Sequence, residues 1–220
     1  GTRLLRGSDT VDMRGVVFEV EPAEGLELEE GGGEETLRFF YRHPTAPFAY
    51  EVSYTFSPDR YLVQVSGHVE GLDAQWAFTD LGNGIPFNEE KEKDEERAAA
   101  YVLNHAQEGI RSVGLNRVED PRVEEGPLLW AAFKSKYFII ALLPGAEEGD
   151  GQHLGGLVAN PTSFENQVAA AVSQPIRRDG SYQYRLFVGP QDFARLEAVG
   201  EDLQNANPYG WKFMRPLIRP

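Results

Sequence analysis

The stretch "AYEVSYTFSPDRYLVQVSGHVEG" constrains the fold more than any other part of the chain. Tyr50, Val52, Tyr54 and Phe56 alternate with Glu51, Ser53 and Thr55, which is the period of two of a β-strand with one aromatic and one polar face. The next four residues, "SPDR", make a turn, because Pro58 presets φ and Asp59 tolerates the tight bend. "YLVQVSGHVEG" then returns, so a hairpin Tyr50–Phe56/Tyr61–Val69 is predicted, with its aromatic face buried. "VVFEVEP", "TLRFFYR" and "SYQYRLFVG" also read as strands. "GPLLWAAFKSKYFIIALLP" holds two strands' worth of apolar residues broken by "KSK", a second hairpin or one long bent strand. Short strands separated by Gly and Pro turns, from about Val16 to Pro144 and again around Tyr182–Val188, predict a mainly β antiparallel sandwich.

Three stretches interrupt this rhythm. "EEGGGEE" (29–35) is a glycine-rich acidic turn, "NEEKEKDEERAAA" (88–100) an exposed loop or short helix, and "GAEEGDGQHLGG" (145–156) a loop by composition. The C-terminal part differs in kind. In "QDFARLEAVGEDLQ", Phe193, Leu196, Val199 and Leu203 recur at spacings of three, three and four, one face of an amphipathic helix, with Pro190 suited to its first turn. From Tyr209 to Pro220 there are three cations and no carboxylate, which leaves −17 on the rest of a chain whose 35 acidic and 21 basic residues sum to −14.

That charge argues against nucleic acid, which needs clustered Lys and Arg. A chain of 220 residues that is 41% hydrophobic and 25% charged is long and apolar enough for a substantial core. The longest apolar run, "YFIIALLP", has the length of a strand, not of a membrane span, and no signal peptide is visible. With no cysteine, disulfides and thiolate metal sites are excluded, and an oxidising compartment is suited.

Signatures of chemistry are sparse. There is no phosphate-cradling loop, no G-x-S-x-G elbow, and "LGNG" at 81–84 reads as a turn. His43, His68, His105 and His153 are scattered, and "EEGD" lacks the register of a calcium loop. His68 and Glu70 point to one face of a strand and could work as an acid–base pair across a sugar; a polar strand face is the simpler reading. No catalytic, cofactor-binding or metal residue is assigned, and no cofactor is expected.

Two segments together resemble the YidC-type bacterial membrane protein insertases. "GPLLWAAFKSKYFIIALLP" is similar to that family's apolar strand, in which Trp leads through a basic step into Tyr-Phe and ends at Leu-Pro. "YRLFVGPQDFARLEAVGEDLQNANPYGW" is similar to its Gly-Pro helix start followed by a Tyr-Gly-Trp step and a basic stretch. The aromatic hairpin matches in style, and together the motifs cover about half the chain.

The resemblance implies the large periplasmic domain between the first two membrane helices of an inner-membrane protein: a twisted antiparallel β-supersandwich, related to galactose mutarotase in fold, capped by C-terminal helices. On that reading residues 1–189 form the supersandwich. Residues 190–220 form the helix and an interfacial segment leading toward a membrane helix. Phe193, Leu196, Val199 and Leu203 would pack on the sandwich, and Tyr209, Trp211, Lys212, Phe213 and Arg215 would meet the membrane–water interface. The implied role is that of a non-enzymatic scaffold in an insertase-chaperone. Its implied partners are nascent membrane proteins, the Sec translocon with its accessory subunits, and lipid at the C-terminal segment, and the isolated domain would be a monomer. A sugar-binding or sugar-converting mutarotase-like sandwich is the alternative, and a free-standing periplasmic ligand-binding module a third reading.

Overall fold

The computed structural model describes residues 1–58, 60–86, 92–145, 153–164 and 167–207. Fourteen strands follow one another in antiparallel pairs: β1 Thr2–Arg6, β2 Asp9–Asp12, β3 Glu19–Glu21, β4 Glu35–Arg42, β5 Ala49–Phe56, β6 Leu62–Glu70, β7 Trp76–Gly82, β8 Ala100–His105, β9 Gly109–Gly114, β10 Arg122–Lys134, β11 Phe138–Pro144, β12 Leu154–Pro161, β13 Val168–Pro175 and β14 Ser181–Pro190. Two short α-helices interrupt them, α1 at Glu92–Ala98 and α2 at Phe193–Val199.

The strands form two layers joined through β10. Its first half, Arg122–Leu128, pairs with β12 and belongs to a layer ordered β2-β1-β7-β13-β12-β10. The register then shifts between Glu125 and Leu128, and the second half pairs with β8 on one side and β11 on the other. The second layer therefore runs β9-β8-β10-β11-β14-β6-β5-β4-β3. A strand that serves both layers lets one sheet fold over on itself, and this is the antiparallel supersandwich. The segment "GPLLWAAFKSKYFIIALLP" is thus both a hairpin and a bent strand.

The main core lies between the layers. Leu4, Ala77, Leu157 and Val172 face Tyr50, Val52, Val65, Phe133, Leu142, Tyr182 and Tyr184. The β5–β6 hairpin buries Tyr50 and Val52 as its alternation requires, and Tyr182 lies across it so closely that a Cβ at Gly67 would fall 2.2 Å from the ring. The hydroxyls of Tyr50 and Tyr182 share a 2.6 Å hydrogen bond inside this core.

A second core covers the opposite face of the second layer. It contains Trp130, Ala132, Ile139, Ala141, Leu143, Phe187 and Val102, together with Leu196, Leu203 and Ala206 from the C-terminal segment. Alternate residues of the second half of β10 and of β11 thus enter different cores, which is why Leu128–Phe133 and Phe138–Pro144 are apolar throughout.

Several boundaries differ from expectation. "VVFEVEP" contributes only three strand residues, with Val17 facing solvent. The loop expected to run to residue 156 gives way at Leu154 to β12, and β13 follows. The acidic stretch 88–100 contains α1, whose Glu95 is buried, so it is not simply a solvated loop. Among the described residues no helix is long and apolar enough to cross a membrane.

Candidate functional site

The C-terminal segment is fastened to the sandwich residue by residue. β14 ends at Pro190, which is paired with Phe138 and so is a strand residue and not the first turn of the helix. Gln191 then turns the chain: its backbone N–H donates to Tyr137 O at 2.7 Å, and its side-chain Nε2 donates to Ser135 O at 2.6 Å and Phe138 O at 3.3 Å. Asp192 caps α2 by accepting the N–H of Arg195 at 3.0 Å, the usual way to satisfy an orphan donor of a first turn. Leu196 is the residue that α2 buries fully.

The helix stops sooner than the spacing predicts. Gly200 has φ 89° and ψ −164°, a region open to glycine alone, and its N–H closes onto Glu197 O at 3.1 Å. Glu201 and Asp202 follow with φ of 53° and 59°, left-handed conformations that side-chain-bearing residues rarely adopt. Leu203 consequently lies outside α2, in a 3₁₀ turn over Leu203–Ala206, and is fully buried there with Ala206.

The strained turn is held from below. Trp130 Nε1 donates 2.8 Å to Glu201 O, and Asn104 Nδ2 reaches the same carbonyl at 3.4 Å. Arg185 spans the other side: its Nε donates to Pro144 O at 3.0 Å, and a second guanidinium nitrogen to Val199 O at 3.4 Å. A third nitrogen sits 4.0 Å from the Glu201 carboxylate. Side chains of β8, β10 and β14 therefore converge on one turn and fix it to the sandwich.

Of the expected packing residues, Leu196 and Leu203 belong to the second core and Val199 packs against it, half-buried. Phe193 is half-buried at the start of the helix and is not among the residues of that core. Tyr209, Trp211, Lys212, Phe213 and Arg215 lie outside the described residues. Sequence reading missed Trp130, Asn104, Arg185 and Gln191 as anchors. No local signal links Trp130 to an acceptor 71 positions later; the one available hint was a lone indole in an otherwise aliphatic strand, since a buried Trp needs an acceptor for its N–H.

A concavity lies on the solvent face of β3–β6. It has a volume of about 430 Å³ and is lined by Glu19, Phe40, Arg42, Glu51, His68 and Glu70 among others. Register places Glu51 directly opposite His68 and Ala49 opposite Glu70, so the groove holds three carboxylates, one imidazole and one guanidinium on a polar sheet face. His68 and Glu70 are both exposed. Among the described residues no three His, Cys, Asp or Glu side chains converge as a metal site, and "EEGD" lies outside them.

Residues 2–219 match the model of the YidC periplasmic domain. The chain belongs to that family. It is 28% identical over 231 residues to the membrane protein insertase YidC of Chlorobium luteolum, an alignment covering 99% of this chain and 37% of that protein. It is also 28% identical over 224 residues to the YidC insertase of Chlorobaculum tepidum, covering 96% of this chain and 36% of that one. The chain spans little more than a third of the length of these relatives. Among solved structures, α-N-acetylgalactosaminidase NagBb from Bifidobacterium bifidum superposes with a TM-score of 0.60 at 11% identity, over 90% of this chain and 32% of that enzyme. That likeness concerns the sandwich alone. In this YidC periplasmic domain the C-terminal segment closes a second core, and Trp130, Asn104 and Arg185 anchor the turn at residues 200–202 to the sandwich.

Proposed function

We propose that this chain is the periplasmic accessory domain of an inner-membrane insertase that inserts and folds membrane proteins, alone or with the Sec translocon. Its task on this reading is to scaffold and orient, not to catalyse. The observation that carries it is the family match over residues 2–219 together with the way the segment 190–207 is locked onto the sandwich. A chain that is to enter a membrane at a defined place needs the segment before that entry fixed to a folded body. Here Trp130, Asn104 and Arg185 supply that fixing through partly buried hydrogen bonds, each worth more than one at the open surface.

The residues 209–215 expected at the membrane interface belong to the same proposal: Tyr209 and Trp211 suit the headgroup level, and Lys212 and Arg215 suit lipid phosphates. Nascent membrane proteins are the proposed clients. The test is replacement of the insertase in a depleted bacterial strain by the complete gene from which this chain derives. Restored growth and restored insertion of inner-membrane proteins support the reading; growth arrest with normal expression and membrane localisation of the protein removes it.

A further inference from the structure

One rim of the second layer carries an exposed aromatic and cationic cluster. Among the described residues nine large apolar side chains stand exposed, and four of them, Tyr61, Tyr137, Phe138 and Val188, meet here, each between 44% and 50% accessible. They are neighbours by construction. The N–H of Val188 donates to Tyr61 O at 2.9 Å, Tyr61 packs on Gly189 at 2.8 Å from where a Cβ would stand, and Gln191 N–H donates to Tyr137 O. Phe138 is in register with Pro190, and Ile140 with Val188, so Phe138 and Val188 lie diagonally on one face of the rim. Tyr61, tilted against Phe187 at 6.3 Å between ring centres, lies on the other.

Cations sit on these rings. Lys136 Nζ is 4.8 Å from the Tyr137 centroid, and the Arg195 guanidinium is 4.8 Å from the Tyr61 centroid. Arg60 is exposed in the adjoining turn. Asp192, which caps α2 nearby, keeps its negative charge. In a chain of net charge −14, three cations thus stand beside exposed aromatics.

The geometry points to this rim, Tyr61, Lys136, Tyr137, Phe138, Val188 and Arg195, as a docking edge for an anionic phospholipid headgroup layer. Aromatic rings with a polar tip favour the membrane–water interface, and Lys and Arg favour its phosphates. A rim apolar on both faces is covered completely by a soft medium into which it dips, whereas a flat partner would cover one face. The inference rests on the domain standing beside a membrane, and it adds the edge that touches it.

The test imposes that proximity. The 220-residue chain is tethered through a C-terminal polyhistidine tag to vesicles of equal phosphatidylglycerol and phosphatidylcholine carrying a nickel-chelating lipid. Hydrogen exchange is followed on and off the vesicles. Amides of residues 60–62, 136–138 and 188–189 should slow about tenfold on vesicles, less so in high salt. The slowing should vanish in Lys136→Glu and in the Tyr137→Ser/Phe138→Ser double variant. Unchanged exchange of β10 and β11 shows that each variant is folded, and Lys136→Glu, which lies outside both cores, decides alone if the double variant is not. Equal exchange on and off vesicles overturns the proposal, as does slowing that survives in the variants. Slowing that depends on protein concentration without vesicles would overturn it in favour of self-association. Because the tether supplies the membrane, a negative result counts against the rim and leaves the insertase reading to its own test in cells.

Discussion

The indole Nε1 of Trp130, in the middle of the strand that serves both layers, donates a 2.8 Å hydrogen bond to the backbone carbonyl of Glu201 in the left-handed turn after α2. One side chain of the sheet thereby holds the turn that leads into the 3₁₀ turn Leu203–Ala206. Replacing Trp130 by Phe keeps an apolar ring in the second core and removes the donor, leaving Asn104 at 3.4 Å as the remaining partner. A loss of about 1–3 kcal/mol is expected, part from the buried carbonyl and part from the lost ring volume. It should appear in hydrogen exchange as faster opening of residues 193–206, with β5 and β6 unchanged.

The same turn predicts opposite effects at adjacent positions. Gly200 sits where a Cβ is strongly disfavoured, so Gly200→Ala should destabilise by about 1–3 kcal/mol. Glu201 pays a left-handed penalty that glycine does not, and Glu201→Gly should be neutral or stabilising by up to about 1 kcal/mol. Denaturant midpoints of the two variants, measured side by side, should fall on opposite sides of the parent or, for Glu201→Gly, coincide with it.

The tyrosines between the layers give the fold an alkaline limit. Desolvation raises Tyr182 well above the ordinary value of 10.0 and raises Tyr50, Tyr54 and Tyr184 in the same direction. A raised folded value means that the unfolded chain gives up these protons first. The stability they contribute is complete below pH 10 and is lost as the pH rises through and beyond it. The slope is about 1.4 kcal/mol per pH unit for each such tyrosine. Urea titrations from pH 9 upward should show the fall, and Tyr182→Phe should make it shallower.

The groove around His68 provides a check on the scaffold reading. His68 stands opposite Glu51 on an exposed sheet face. The isolated domain should leave the anomers of glucose and galactose interconverting at their uncatalysed rate, and His68→Ala should not alter it. Polarimetry decides: acceleration abolished by His68→Ala would move the function into the groove and make the sandwich an enzyme.

What was legible in the sequence was whatever depended on neighbours along the chain. The alternation of Tyr50, Val52 and Tyr54 and the turn at Pro58 announced the β5–β6 hairpin, and the density of strands announced the sandwich. The run from Leu128 to Leu143 announced burial, but its division between two cores follows from topology that no local pattern contains. β12 and β13 escaped because Gly155, Gly156 and Ala169–Ala171 are poor strand formers, and long-range pairing overrides that preference. For the helix, the spacing of Phe193, Leu196, Val199 and Leu203 identified the buried face, yet ran it through Gly200, where the backbone changes hand. The anchors Trp130, Asn104 and Arg185 were invisible because their acceptors are backbone carbonyls from 14 to 97 positions away.

The central claim is that the sandwich positions the chain through its second core, and Leu196→Asp tests it most directly. Leu196 is 1% exposed, and burial of such a side chain contributes about 1.5–3 kcal/mol, to which a buried carboxylate adds its own penalty. The segment 190–207 should detach while the larger main core stays folded. The measurement is complementation of insertase-depleted cells by the complete protein carrying Leu196→Asp, with its periplasmic sandwich shown intact by protease resistance. The account predicts stable protein and a strong insertion defect, while charge changes at Lys93 and Glu96 on the acidic helix complement fully. Full complementation by Leu196→Asp, with failure of the acidic-helix variants, would contradict it.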